Sequence, residues 1–343
     1  MKAVYITEHG GIEKLLSGEL PEPVPHGNEV LIRVRACGVN YVDLWVRRGL
    51  PFLRIKYPFV LGQEIAGEVV AAGDLTRDVS AGMRVVLNAG VSCGQCEPCL
   101  SGRDHHCSHY LLLGKNLSGG YAGFVKVPQV NLVPLPDGVA WEAAASIPVS
   151  FCTAWNMLFD TAQLQPGESV LIHAGGSGLG SAAIQLARLA GATVITTASS
   201  EQKLEKAAAL GAQYLINYRQ KDFLHEVRRI TKKRGVDVVI EHIGEEVWER
   251  SLLCLTTGGR LVTCGATSGY QAKTDLRHVF FRHLRIMGAT SASKAVLFKI
   301  MRLLEAGKIQ PVLDRVLPLG DAREAHRVLE ERQQFGKVVL APE

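Results

Sequence analysis

The sequence has no long apolar run, no low-complexity tract and only one cluster of like charge. No stretch approaches the roughly 18 consecutive apolar residues of a spanning helix, so no membrane partner is expected. The start, MKAVYITEHG, alternates like a strand and lacks the apolar centre of a signal peptide, so a cytoplasmic protein is expected. Hydrophobic residues make up 47% and charged residues 21%, a globular composition that excludes extended disorder. The net charge of +5 is mild, and the one basic cluster, RRITKKR at 228–234, sits where a helix is expected to end. It reads as a solvated helix face, so no nucleic-acid partner is expected. At 343 residues the chain is long enough for two domains, each with its own core.

Eight cysteines in a reducing compartment do not make a disulfide framework, and their placement is uneven. Cys37, Cys152, Cys254 and Cys264 are dispersed, whereas CGQCEPCLSGRDHHC collects Cys93, Cys96, Cys99 and Cys107 in a loop with glycine and proline. Four closely spaced thiolates suit a closed tetrahedral site, so one structural zinc per chain is expected. With no open coordination position, this ion would brace a lobe. A redox CxxC pair is the competing reading, with His105, His106 and His109 as rival ligands or as exposed loop residues.

From Ser169 onward VLIHAG, ATVITTA, YLINY, VDVVIEHI, RLVTCGA and RIMGAT read as strands. LGSAAIQLARLAG, SEQKLEKAAALGA, DFLHEVRRITKKRG and EVWERSLLCLTTGG read as helices between them, which predicts a doubly wound parallel sheet. The first strand runs into Ala174, Gly175, Gly176, Ser177, Gly178, Leu179 and Gly180, immediately before a helix. That is the context in which a glycine-rich turn brings backbone amides to a pyrophosphate, although Ser177 stands where the fingerprint has its middle glycine. The second strand lacks the acid, about 20 residues on, that would bind an adenosine ribose. Ala198 holds its place, followed by Ser199, Ser200 and Lys203, with Tyr218 and Arg219 after the next strand. Such groups suit a 2′-phosphate, so NADP(H) is expected in preference to NAD(H). Gly265, Ala266 and Thr267, after the fifth strand, are further cofactor candidates by position.

A four-cysteine loop upstream of a dinucleotide fold resembles the medium-chain dehydrogenase/reductase superfamily, the zinc alcohol dehydrogenases and their quinone oxidoreductase relatives. The resemblance covers the whole chain. It implies an α/β protein with a GroES-like, mostly-β catalytic domain (1–150 and 291–343) and a Rossmann domain (151–290), and a homodimer or homotetramer. Zinc alcohol dehydrogenases carry a second, catalytic zinc, and the resemblance locates its three ligand positions here. Asn40, in CGVNYVDL, replaces a cysteine; Gln63, in Gly62-Gln63-Glu64, replaces a histidine; Val149, in SIPVSFCTAW, replaces a cysteine. Cys37 and Cys152 are out of register with the ligand positions, and Val42 replaces the hydroxyl of the proton relay. ACGVNYVDLWVRRGLP is instead similar to zinc-free quinone oxidoreductases.

The expected activity is zinc-independent hydride transfer to an enone- or quinone-type carbonyl, a small-molecule substrate whose developing negative charge needs only hydrogen-bond donors. Asn40 and Gln63 are the candidate donors, Tyr41 or water the proton source, and Glu64 and Asp43 the orienting acids. Trp45 is a candidate pocket wall. Cys37 or Cys152 as a redox-active thiol beside the cofactor is one further reading, set against simple buried packing, and two other functions stand beside the expected one. One is an alcohol dehydrogenase with an oxygen-rich zinc site at Asn40, Asp43, Gln63 and Glu64. The other is a non-catalytic NADPH-binding interaction or sensor protein.

Overall fold

The runs SVLI, TVITTA and VDVVIE are β-branched and almost wholly buried, as strands covered on both faces require. In the computed structural model, which describes residues 1–342, they belong to one six-stranded parallel sheet. Its strands are β1 (Ser169–Ile172), β2 (Thr193–Ala198), β3 (Tyr214–Asn217), β4 (Val236–Glu241), β5 (Leu255–Thr263) and β6 (Arg285–Gly288). The spatial order is 3-2-1-4-5-6, with Val170 paired to Val194 on one side and to Val238 on the other. The order reverses between β1 and β4, the switch point at which a doubly wound sheet opens a crevice beyond its strand ends. Helix α1 (Gly178–Leu189) follows β1 and buries Ala182, Ala183 and Ala187.

One expected element ends early. EVWERSLLCLTTGG is helical only over Glu245–Cys254, and Leu255–Thr263 is β5. Thr256 and Thr257, β-branched and followed by two glycines, disfavour helix and suit the strand. These elements form the unit Ser150–Ala292, with a core that includes Leu171, Ile195, Ile216, Val239 and Leu261.

The other unit comprises Met1–Val149 and the segment from Ser293 onward. Its main sheet is built around the strand Glu29–Gly38, which alternates buried Ile32 and Val34 with exposed Arg33. That strand pairs antiparallel with Glu64–Ala72 along one side. Its other side is shared, by Phe124–Pro128 against the first half and by Lys337–Ala341 against the last residues. The core beneath includes Ile32, Leu44, Leu61, Ile65 and Leu340. Truncating a fully buried member such as Ile32 to alanine would cost about 2–5 kcal/mol. Among the described residues no helix is long and apolar enough to cross a membrane.

Candidate active site

Ser177 accounts for the irregular glycine motif. Its backbone is extended, and its Oγ accepts from the Gly180 amide at 2.8 Å, so it is the N-cap of α1. The amides of Gly178 and Leu179, in the first turn, then have no acceptor within the helix and point where an anion binds. Gly180 has no substitute here, because a Cβ on it would lie 2.2 Å from the Ala174 carbonyl oxygen. Across the switch point His242, at the end of β4, places Nε2 3.2 Å from Ser177 Oγ, and burial pushes its pKa down to about 4. Gly265, Ala266 and Thr267 follow β5, and their loop is tied to the one after β4 by the Ser268 amide, 2.7 Å from Ile243 O.

The strand ends also gather the groups expected to read the ribose. Ala198 pairs with Asn217 in the sheet and accepts from the Tyr218 amide at 3.1 Å, so Ser199 and Tyr218 leave adjacent strand ends together. Ser200 is less free, since its Oγ caps the next helix by accepting from the Lys203 amide at 3.3 Å.

In the first unit, register assembles the other candidates. Gly38 lies opposite both Glu64 and Val339, and continuing the second pairing by two residues brings Lys337 across from Asn40. The Lys337 ammonium is 2.5 Å from Glu64 Oε2, 2.7 Å from Asn40 Oδ1 and 2.8 Å from Val39 O. Its side chain is 5% exposed and that of Glu64 is fully buried. Asn40 Nδ2 donates to Glu64 Oε2 at 3.2 Å and, more weakly, to Gly38 O at 3.4 Å. Glu64 Oε1 accepts from the Val149 amide at 2.7 Å. Gln63 is buried, at 4% exposure, and its Nε2 has no hydrogen-bond partner. Tyr41 is partly buried and packs edge-on against Trp45.

Beneath this cluster runs a polar chain. Arg47, buried and paired with Glu330 at 2.5 Å, can only donate, so its Nη1 donates to His326 Nδ1 at 3.1 Å. The neutral imidazole then carries its hydrogen on Nε2 and donates to Tyr121 Oη at 3.2 Å; Tyr121 donates to Asp43 Oδ2 at 3.1 Å. The Asn40 amide also donates to that oxygen, at 2.8 Å. Burial, reinforced by Arg47 and Arg48, pushes His326 down to about 3. Burial lifts the Asp43 carboxyl to about 7, against the pull of the Asn40 amide and the Lys337 charge. All the hydrogen bonds point one way, from a guanidinium that keeps its proton, so the chain fixes Asp43 and is no proton path to solvent. Gly62 closes the arrangement at φ +97°, with the Tyr121 ring and Cys37 Sγ within 2.6 Å of where a Cβ would be. Cys37 and Cys152 are both buried, and burial raises the Cys37 thiol.

The four clustered cysteines converge. Their sulfurs all lie within 4.8 Å of one another, with Cys96 and Cys99 3.4 Å apart and Cys93 and Cys99 3.9 Å apart. Zinc–sulfur bonds of about 2.3 Å in a tetrahedron require sulfurs about 3.8 Å apart, so the set fits zinc. The amides of Cys93 and His109 point at Cys107 Sγ, as a thiolate ligand requires.

Two family models match the chain: the alcohol dehydrogenase GroES-like domain over residues 26–137 and zinc-binding dehydrogenase over 178–306. The quinone oxidoreductase of Mus musculus is 30% identical, over 99% of this chain and 97% of its own. The acryloyl-coenzyme A reductase of Sulfurisphaera tokodaii is 30% identical, over 94% of this chain and 95% of its own. A crystal structure of an NAD-dependent alcohol dehydrogenase is 46% identical, covers 99% of each chain and has a TM-score of 0.96. The chain belongs to the medium-chain dehydrogenase/reductase superfamily. It is an NAD(P)-dependent oxidoreductase.

For a medium-chain dehydrogenase/reductase, the donors at the three catalytic-zinc positions are unusual. Val149 offers no side-chain ligand, Gln63 and Asn40 offer neutral amides, and the oxygens of Asn40 and Glu64 already hold an ammonium. With the ammonium in place this donor set does not fit a catalytic zinc, which takes thiolate, imidazole or carboxylate around an open position. Sequence reasoning passed over Lys337, Tyr121 and His326, and it read Arg47, in RRGLPFLRIKYPF, as facing an acidic substrate or solvent, whereas Arg47 is buried. The buried lysine in GKVVLA stood out in the pattern as the one charge in an otherwise apolar strand.

Proposed function

We propose that this medium-chain enzyme is an NADP(H)-preferring reductase of enone- or quinone-type carbonyl compounds that works without a catalytic metal. The observation that carries the reading is the buried, unpartnered Nε2 of Gln63, next in sequence to Glu64, whose carboxylate holds the Asn40 amide and the Lys337 ammonium. A buried donor without a partner costs about 1–3 kcal/mol, a cost a bound carbonyl oxygen would relieve. The bound dinucleotide supplies the hydride, which adds at the β carbon. The displaced electron pair moves to the carbonyl oxygen, where Gln63 Nε2 and the weakly held second hydrogen of Asn40 Nδ2 stabilise it. Tyr41 or water then returns a proton to the α carbon. Ala174 to Gly180 would hold the pyrophosphate, Gly265, Ala266 and Thr267 the nicotinamide end, and Ser199, Ser200, Lys203 and Tyr218 the 2′-phosphate, with Ser200 contributing least because it caps a helix.

A relative named as a quinone oxidoreductase and one named as an acryloyl-coenzyme A reductase both support reduction of a conjugated carbonyl. The 46% likeness to an NAD-dependent alcohol dehydrogenase favours a second reading, alcohol–aldehyde interconversion. NADPH oxidation with cyclic enones and quinones, run beside NAD(P)+ reduction with primary and secondary alcohols, separates them. Turnover of alcohols alone would overturn the first reading, and NADPH binding without any turnover would leave a non-catalytic sensor.

A further inference from the structure

We propose that Lys337 is a built-in cation that positions the Asn40 amide and keeps a divalent metal out of the candidate site. The inference rests on the functional reading above only for its kinetic test.

A lysine ammonium has three hydrogens, and here each has an acceptor: Glu64 Oε2, Asn40 Oδ1 and Val39 O. None remains for a substrate, so Lys337 acts through its neighbours. Its first effect is orientational. Asparagine oxygen and nitrogen are nearly equal in shape, and the ammonium draws Oδ1 to itself, which leaves Nδ2 toward Glu64 Oε2 and Gly38 O. The donor end of Asn40 is thereby defined. Glu64 cannot swing away, because the Val149 amide holds its other oxygen at 2.7 Å. The triad is therefore braced from three separate strands or turns of the first unit.

Its second effect is exclusion. A divalent ion at this spot would draw on Asn40 Oδ1 and Glu64 Oε2, approaching each to about 2.0–2.2 Å. The ammonium already sits on both oxygens, so the two cations would share a buried volume with one carboxylate between them. In a dry site such a pair repels strongly. The positive charge that a metal would supply thus comes from the chain itself, fixed in the strand Lys337–Ala341 by its register against Gly38.

The test has two arms. In the first, the protein and its Lys337→Ala variant are incubated with excess zinc, passed over a desalting column and assayed for zinc per chain. One zinc in the parent, at the four cysteines, and two in the variant are expected. Two in the parent, or one in both, would overturn the exclusion. This arm needs no turnover, so absent enone reduction would count against the proposed function alone. In the second arm, Lys337→Met keeps the side-chain volume and removes the charge. A fall in kcat/KM of about 10- to 100-fold is expected, the usual effect of losing a residue that orients a reacting group. The double variant Glu64→Gln/Lys337→Met removes both buried charges and is expected to regain the thermal stability lost by the single one, while kcat/KM stays low. Recovery of both stability and activity would show that Lys337 only neutralises Glu64, and would overturn the positioning role.

Discussion

Replacing Gln63 with methionine is expected to make the protein more stable and the enzyme worse, and the opposite signs are the point of the experiment. Methionine matches glutamine in length and is apolar, and Gln63 is 4% exposed with an unpaired Nε2. Removing that orphaned donor relieves about 1–3 kcal/mol of desolvation cost. In a folded unit of about 200 residues each kcal/mol moves the melting midpoint by roughly 2–4 °C, so a rise of several degrees is expected. The same change removes the donor proposed to meet the developing oxyanion. Loss of one such donor lowers kcat by about 10²- to 10³-fold. The assay is differential scanning calorimetry without substrate, paired with steady-state NADPH oxidation by a cyclic enone. A melting point that falls while kcat/KM is unchanged would refute the reasoning, since it would make Gln63 an ordinary satisfied core residue.

Other outcomes follow from the same geometry. Cys96→Ser is expected to lower zinc from one per chain towards none and to make the 93–107 loop sensitive to proteolysis, as metal analysis and limited digestion would show. Gly180→Ala forces a Cβ onto the Ala174 carbonyl and is expected to abolish dinucleotide binding by isothermal titration calorimetry. Ser199→Asp adds a negative charge beside the expected 2′-phosphate and should raise KM for NADPH about tenfold or more while sparing NADH. His173, His242 and His326 are held neutral by burial, at about 3, 4 and 3. Their unfolded forms titrate near 6.5, so as pH falls below that value the unfolded chain gains protons the folded one does not. At pH 5 each should subtract about 2 kcal/mol, partly offset by Asp43, whose raised pKa acts in the opposite direction. Urea melts from pH 8 to pH 5 would check the sum, and a midpoint that rises steadily would contradict it.

The Rossmann half was legible because its strands are short β-branched runs in a fixed alternation with helices, which leaves little choice of sheet. Misreading LTTGG as helix shows the limit: an apolar helix feeding directly into a strand gives no turn signal, and only the propensity of Thr256 and Thr257 marks the change. The cysteine cluster was legible from spacing alone, and the structure brings its four sulfurs together. The first unit's site was only half legible. Asn40, Gln63 and Glu64 stand in short motifs, but the groups that hold them come from Tyr121, His326 and Lys337, which are distant in sequence. Lys337 reaches Asn40 through a strand pairing nearly three hundred residues apart, at |i−j| of 297, and no local pattern encodes that register. Ser177 reads as a defect in the glycine motif and acts as a helix cap, a role visible only once the backbone is known.

The most direct test of the central claim is where the hydride goes. The enzyme would be incubated with NADPH carrying deuterium at the transferable C4 position and 2-cyclohexenone, and the product read by NMR. The account predicts deuterium at the β carbon of a saturated ketone. Deuterium on a carbinol carbon, with the double bond intact, would contradict it and place the enzyme among carbonyl–alcohol dehydrogenases.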